Sequence, residues 1–422
     1  MWPFKFPYTN FHELNLDWVL NTIQSNSTKI ENLEKFDTKK EIENALKKAA
    51  EDGTLANALE GVIFGSKSIK TFGAVGDGVA DDTQAFVDSL AEQDFVFLTP
   101  GKYKVTQPIT LESGQCIYGV SPYLCIIEGI FNDGIIKSAG WPDEQKRDIV
   151  IRNVSITGDN SYSYPNNNGV MLRCAGVNLT DVYIFSVGGR GFFLRGSGDL
   201  TGRDTRIEGS VTRCTAIGCG YDGLFLEGPN DSTIQDCHFI SSGQQENSAA
   251  AGSANCYLKT SAKVIGCHFW NFSSGSGYRR SPNGIIVNAA SVEFTSCHME
   301  GSSTQNLYNL NGTVNVSNCK IYAPGPDSLT LISNQAGTMN ISNSNITGDT
   351  NVYVAITDRD GRLSLCNTII NAVRGIDSTS TVVLWVGSYE GGDIPYLGSA
   401  QFVTFLTGQF DNSVYPKFNP PT

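Results

Sequence analysis

The chain has 422 residues, enough for one long solenoid or for two to three globular domains, and its 44 Gly with only 17% charged residues argue for short strands and frequent turns rather than a helical enzyme. A net charge of −12 disfavours nucleic acid or an anionic membrane as partner, since such surfaces demand clustered Lys and Arg. No stretch of about 18 apolar residues suggests a membrane span, and MWPFKFPYTNF has no signal-peptide core, so the expectation is synthesis and folding in a cytoplasm with the eleven Cys reduced and mostly buried.

In chain order, residues 1–37 come first. Leu16, Val19, Ile23, Asn26, Ile30 and Leu33 are spaced 3, 4, 3, 4 and 3 apart, an a/d heptad seam with one polar member that would set register. The seam predicts a short α-helical coiled coil and a homotrimer, or an amphipathic helix laid on its own chain. Thr38 and Glu41 form a capping box that opens a second helix, predicted as a neck over 38–64. The segment FPYTNFHELNLDWVLNTI (Phe6 to Ile23) is similar to an opening found in tail or appendage proteins of tailed bacteriophages. That resemblance implies attachment to other virion tail proteins through residues 1–37.

Next comes FGAVGDGVADDTQAF, Phe72 to Phe86, followed by FVFLTPGKYKVTQPITLESGQCIYGV. Gly73, Gly76 and Gly78 permit tight turns, Asp81 or Asp82 can cap a helix beginning near Thr83, and Ala85, Phe86 and Leu90 give it an apolar stripe. The three Asp (77, 81, 82) read as turn and cap chemistry or as a calcium site. The motif over 72–110 resembles the opening of the pectate-lyase-like right-handed parallel β-helix superfamily, found in bacteriophage tailspikes and polysaccharide-degrading enzymes. The lyases' catalytic Arg or Lys and calcium-binding carboxylates have no residue-by-residue match here.

From there a degenerate unit recurs: VTRCTAI (Cys214), TIQDCHFI (Cys237), KVIGCHFW (Cys267), SVEFTSCHM (Cys297), TVNVSNCKI (Cys319), TMNISNSNI (Ser344) and LSLCNTII (Cys366). Its Cys or Cys-equivalent positions lie 23, 30, 30, 22, 25 and 22 residues apart, one solenoid coil each. Period-two alternation puts the apolar residues on one face of a short strand. A second strand recurs as NGVML (168–172), RGFFL (190–194), DGLFL (222–226) and NGIIV (283–287). The predicted fold is therefore an all-β, right-handed parallel β-helix over 65–387, with an aromatic-rich C-terminal cap over 388–422.

Candidate chemistry is sparse. Glu208, Asp222 and Glu227 cluster on neighbouring coils, where carboxyl separations suit glycoside hydrolysis, or serve as solvating charge. Trp270, Tyr278, Arg279 and Arg280 combine aromatic faces with guanidinium donors on a Gly-rich loop, fit for stacking on sugars and binding acidic sugars or phosphates. His238, His268 and His298, each one after a Cys and 30 residues apart, would form an outward column able to bind a transition metal, line a trimer seam, or simply repeat, with Lys320 continuing it. No Cys-x-x-Cys knuckle, phosphate loop or Ser/His/Asp pattern is present, and no cofactor is called for. Together with the phage resemblances, these features predict a virion tailspike that binds a host cell-surface polysaccharide or teichoic acid, with cleavage of that glycan open. A free polysaccharide lyase or hydrolase and a purely structural tail component are the competing readings.

Overall fold

The computed structural model describes residues 67–161, 163–196, 208–245, 252–272, 277–323, 330–348, 354–372, 374–378, 382–389, 394–398 and 403–406. The expected virion-attachment helix (1–37) and neck (38–64) lie outside the described residues. Among those residues every strand pairing is parallel, and each strand pairs with its equivalent one coil away. The chain is thus a parallel β-helix, as the repeats predict.

Each coil contributes short strands whose inward residues form continuous columns. One column runs Ile151, Leu179, Val211, Ile234, Val264, Phe294, Val316, Ile341 and Leu365. A second runs Ile156, Ile184, Ala216, Phe239, Phe269, Met299, Ile321, Ile346 and Ile370. A third starts at Ile109 and passes through Ile136, Val170, Phe192, Leu224, Cys256, Ile285, Leu307, Ile332 and Ile356 to Ile376. Nearly all these side chains have no exposed surface, so the core is one apolar thread rather than a central globule. Phe239 and Phe269 stack within it, their ring centroids 5.6 Å apart.

The coils bend between the first two columns at a residue with positive φ: Asn153, Asp181, Arg213, Asp236, Gly266, Ser296, Asn318, Asn343 and Asn367. Asn, Asp and Gly adopt this left-handed conformation at least cost, which is why they dominate the position. The residue after the bend is the repeat Cys, and its role exceeds filling space. Backbone N–H groups of Cys214, Cys237 and Cys297 donate to the thiols of Cys237, Cys267 and Cys319 on the following coil. The Cys237, Cys267 and Cys297 thiols in turn donate to the carbonyls of Gln235, Ile265 and Thr295, two residues earlier. Ser344 takes over the role, accepting from Cys319 N and donating to Ser342 O. One expectation needs correcting here: Cys366 is exposed and pairs with Ser342, whereas Thr368 is buried and makes the bend contact to Cys366 O. A hydroxyl suits the position as well as a thiol, so Cys is a misleading marker of the last coil.

Gly169, Gly191 and Gly223 precede the third-column strands for a steric reason. A Cβ at each would approach the carbonyl oxygen of the next coil at 2.8, 2.6 and 2.5 Å. The N-terminal end is covered by the helix Thr83–Gln93, which buries Ala85, Phe86, Ser89 and Leu90. Asp82 occupies its N-cap but turns its carboxylate to the N–H groups of Val75 and Gly76. Asp81 accepts from Thr83 N and from Thr106 Oγ1, and Asp77 accepts from Val79 N and Ala80 N, which holds the Asp77 carboxyl below its ordinary range. All three acids are spent on turn chemistry. At the other end the ladder continues beyond the expected boundary at 387, with Ile394–Gly398 and Val403–Leu406 pairing in parallel on earlier coils.

Burying an N–H without an acceptor costs about 1–3 kcal/mol. Cys267→Val, which strands the N–H of Cys237, should therefore melt well below Cys267→Ser. Equal or higher melting of the valine variant would refute the role assigned to the thiols.

Candidate glycan-binding cleft

Connections of several coils gather at the corner between the second and third columns, where the described turns include 158–161, 163–167, 186–191, 218–223 and 241–245. Insertions gathered on one face of a solenoid are where such folds carry function. A cleft of about 480 Å³ opens there, lined by Asn132, Asp133, Trp141, Pro165, Asn166, Asn168, Met171, Arg190, Phe193 and Tyr221.

Phe193, in its wall, belongs to an outward column on the third-column strands. Phe193 pairs with Phe225, and Phe225 with Tyr257, as successive edge-to-face contacts at 5.3 and 5.1 Å, and Trp141 sits edge-on to Phe193 at 4.8 Å. Over this column lies the Arg190 guanidinium, 4.7 Å from the Phe193 ring and 4.0 Å from the Phe225 ring. Arg190 is fixed from below: its Nε donates to Asp222 Oδ2 at 2.8 Å, and its backbone N–H donates to Asn168 Oδ1. Asp222 Oδ1 accepts the N–H of Ala254. Burial pushes the Asp222 carboxyl upward from its usual range, with Arg190 and the Ala254 N–H pulling the other way. The result is a rigid cation on an aromatic shelf, with amide side chains opposite.

The residues singled out from sequence fall differently from one another. Asp222 is buried beneath Arg190 and reaches no solvent, so it orients that side chain. Glu227 faces outward as alternation requires, but it is not an open carboxylate: it stands between Arg195 and Lys259 in a column of alternating charge, 3.5 and 2.6 Å away. Glu208 is exposed ahead of the strand Ser210–Thr212, and no hydrogen bond or ion pair joins it to Asp222 or Glu227 among the described residues. Trp270 and Tyr278 belong to an aromatic row with Phe272 between them, at 5.0 Å on either side. The loop carrying Arg279 is tied to the same corner by two bonds between the Arg279 backbone and the Gln244 amide. Tyr278 packs over Gly218, in the turn that also holds Tyr221. The cleft itself was not foreseen, because its members come from four coils and share no local motif. The available signal was the pair of outward aromatics in RGFFL and DGLFL beside an Arg.

The His column exists as predicted: His238 pairs with His268, His268 with His298, and His298 with Lys320. His238 is exposed, while His268 and His298 are half-buried and stacked at 4.5 Å with planes 5° apart. Burial holds both of their pKa values below the ordinary imidazole range.

Residues 66–250 match the family described as rhamnogalacturonase A/epimerase, pectate lyase-like. Over that stretch the coils are similar to those of this pectate-lyase-like family. Among curated proteins, the chain is 32% identical over 108 residues to the pre-neck appendage protein of Bacillus phage B103, covering 25% of this chain and 11% of that protein. It is 22% identical over 297 residues to the pre-neck appendage protein of Bacillus phage phi29, covering 67% of this chain and 33% of that one. The chain therefore spans a third or less of the length of these relatives. The mannuronan C-5 epimerase AlgE4 A-module of Azotobacter vinelandii superposes with a TM-score of 0.54 at 14% identity, covering 81% of this chain and all of that one. Such a likeness speaks for the fold, and this fold hosts unlike activities. No helix among the described residues is long and apolar enough to cross a membrane.

Removing the Asp222 charge should loosen Arg190. A double-mutant cycle of Asp222→Asn with Arg190→Met is expected to show coupling of about 0.5–2 kcal/mol in unfolding free energy, below the range of fully buried pairs because Arg190 is partly exposed. Coupling near zero would mean that the pair does not order the cleft.

Proposed function

We propose that this chain is a bacteriophage tail appendage of the tailspike type, a component of the virion tail, whose β-helix presents a binding site for a host cell-surface polysaccharide or teichoic acid. The observation that carries the reading is the cleft in which Arg190 is clamped over Phe193 and Phe225 and faced by Trp141 and Tyr221. Aromatic faces take the apolar face of a sugar ring, amides take its hydroxyls, and a fixed guanidinium takes a carboxylate or phosphodiester oxygen bidentately. The similarity to phage pre-neck appendage proteins supports the virion setting. The Trp270, Phe272 and Tyr278 row, with Arg279 and Arg280, extends the surface along the same corner and gives a longer glycan a second foothold. The coils wind right-handed in this reading, as about 98% of parallel crossovers do. The chain assembles as a trimer through the Leu16–Leu33 seam, and residues 1–37 dock on other tail proteins.

Binding is favoured over cleavage. Asp222 and Glu227 are both neutralised by cations, and hydrolysis needs one free acid and one free base flanking a bond. Their catalytic roles, with that of Glu208, are the competing proposal.

Purified protein should be screened against wall and capsular glycans of the host for both retention and chain shortening. The expected result is retention without shortening, weakened about tenfold or more by Trp141→Ala, the loss typical of a central aromatic anchor. Shortening abolished by Asp222→Asn or Glu227→Gln would instead establish a depolymerase. Retention unaffected by Trp141→Ala and Arg190→Ala would remove the cleft from consideration.

A further inference from the structure

Apart from the cleft, one cluster of potential ligands stands out on the outward face of the second-column strands. His268 and His298 occupy the same position on adjacent coils, and Glu300 lies two residues beyond His298, so alternation turns it to the same side. His268 Nε2 is 3.4 Å from Glu300 Oε1, and His298 Nε2 is 3.2 Å from Glu300 Oε2. Yet neither nitrogen has a hydrogen-bond partner, and both are shielded from solvent. Two imidazole nitrogens facing a carboxylate at these distances, without hydrogen-bond geometry, are an arrangement that a cation between them would satisfy.

We propose that His268 Nε2, His298 Nε2 and a Glu300 oxygen bind one divalent zinc-type ion, with water completing the coordination. The donor set of two imidazoles and a carboxylate suits a borderline ion. Bonds of about 2.0–2.2 Å in a tetrahedron place neighbouring ligand atoms roughly 3.3–3.5 Å apart, and each imidazole nitrogen lies about that far from one of the two Glu300 oxygens. All three ligand atoms lie within 4.8 Å of one another, so a modest tilt of the stacked rings closes the remaining distance. Glu300 is held in place by its strand, paired with Tyr322 on the next coil. Lys320, the neighbour of His298 in the column, directs its ammonium toward the Tyr322 ring, 5.4 Å from the centroid. The sequence suggested three histidines as ligands; the geometry replaces His238, which is exposed and edge-on to His268 at 5.8 Å, with Glu300. An ion there ties two adjacent coils together beside Trp270, independently of any glycan in the cleft.

The test is Zn²⁺ titration of the full chain after chelator treatment, by calorimetry, together with Co²⁺ substitution read by visible absorption. One ion per chain is expected, with a d–d spectrum of low coordination number and no thiolate charge-transfer band. His298→Gln and Glu300→Gln should each weaken binding about tenfold or more, since even supporting residues of metal sites cost that much. His238→Gln should leave binding unchanged, and so should His12→Gln. At a fixed Zn²⁺ concentration the melting temperature should rise equally for the unmodified protein and His238→Gln, and by clearly less for Glu300→Gln. Absence of saturable binding, binding that survives both His298→Gln and Glu300→Gln, or a thiolate band would each overturn the proposal. Melting of each variant without metal verifies that it is folded.

Discussion

The constraint on which this molecule depends is that every coil must hand its backbone hydrogen bonds to the next in parallel register. A parallel ladder shifted by one residue would turn each inward side chain outward, so the Ile, Val, Phe and Cys columns and the ladder enforce one another. The difficulty comes at the bends, where the strand breaks and a backbone N–H turns inward. The small polar side chain after the bend resolves it by accepting that N–H from one coil and donating to a carbonyl of its own. Cys237, Cys267, Cys319 and Ser344 do this. A buried thiol is apolar enough for the core and polar enough for this exchange.

Stacking also explains how a chain with few charges builds its surface features. Because equivalent outward positions lie one strand spacing apart, any residue type repeated there becomes a column. Phe193, Phe225 and Tyr257 become an aromatic wall; Arg195, Glu227 and Lys259 become an alternating charge row; His268 and His298 become a pair. The same logic operates inside. Asn309, Asn334 and Asp358 are buried and linked amide to amide and amide to carboxylate, each bond 2.7 Å long, and Ser378 closes the series. Function then requires only that residues of the turns at one corner reach beside such a column, as Pro165, Asn166 and Arg190 do.

Much of the architecture was readable because the period-two alternation and the coil-length recurrence are carried by many residues at once. The Cys repeat located the bends, although the reason for Cys was hydrogen bonding as well as packing. That incomplete reason produced the misplaced assignment of Cys366 for Thr368. The second strand of the Cys237 coil, Ala254–Leu258, is not marked in the sequence because Asn255 stands where its neighbours have Gly223 and Gly284. The site was far less legible. Alternation correctly turned Glu227 and the histidines outward, but it could not show that Arg195 and Lys259 flank Glu227, that Asp222 is buried, or that Trp141 swings onto Phe193. Those facts depend on contacts across coils, made by loops whose lengths vary.

The stacked register can be tested by pairs of outward cysteines introduced in a chain carrying Cys366→Ser. Thr233 pairs with Lys263 and Lys263 with Glu293 on successive coils. Partners one strand spacing apart lie within disulfide reach, at roughly 5 Å between Cα atoms, whereas residues two coils apart are roughly 10 Å away and beyond it. Mild oxidation followed by mass spectrometry should find the bridge in Thr233→Cys with Lys263→Cys, and in Lys263→Cys with Glu293→Cys, but not in Thr233→Cys with Glu293→Cys. A bridge in the last pair, with none in the first two, would contradict the stacked coils and everything built on them.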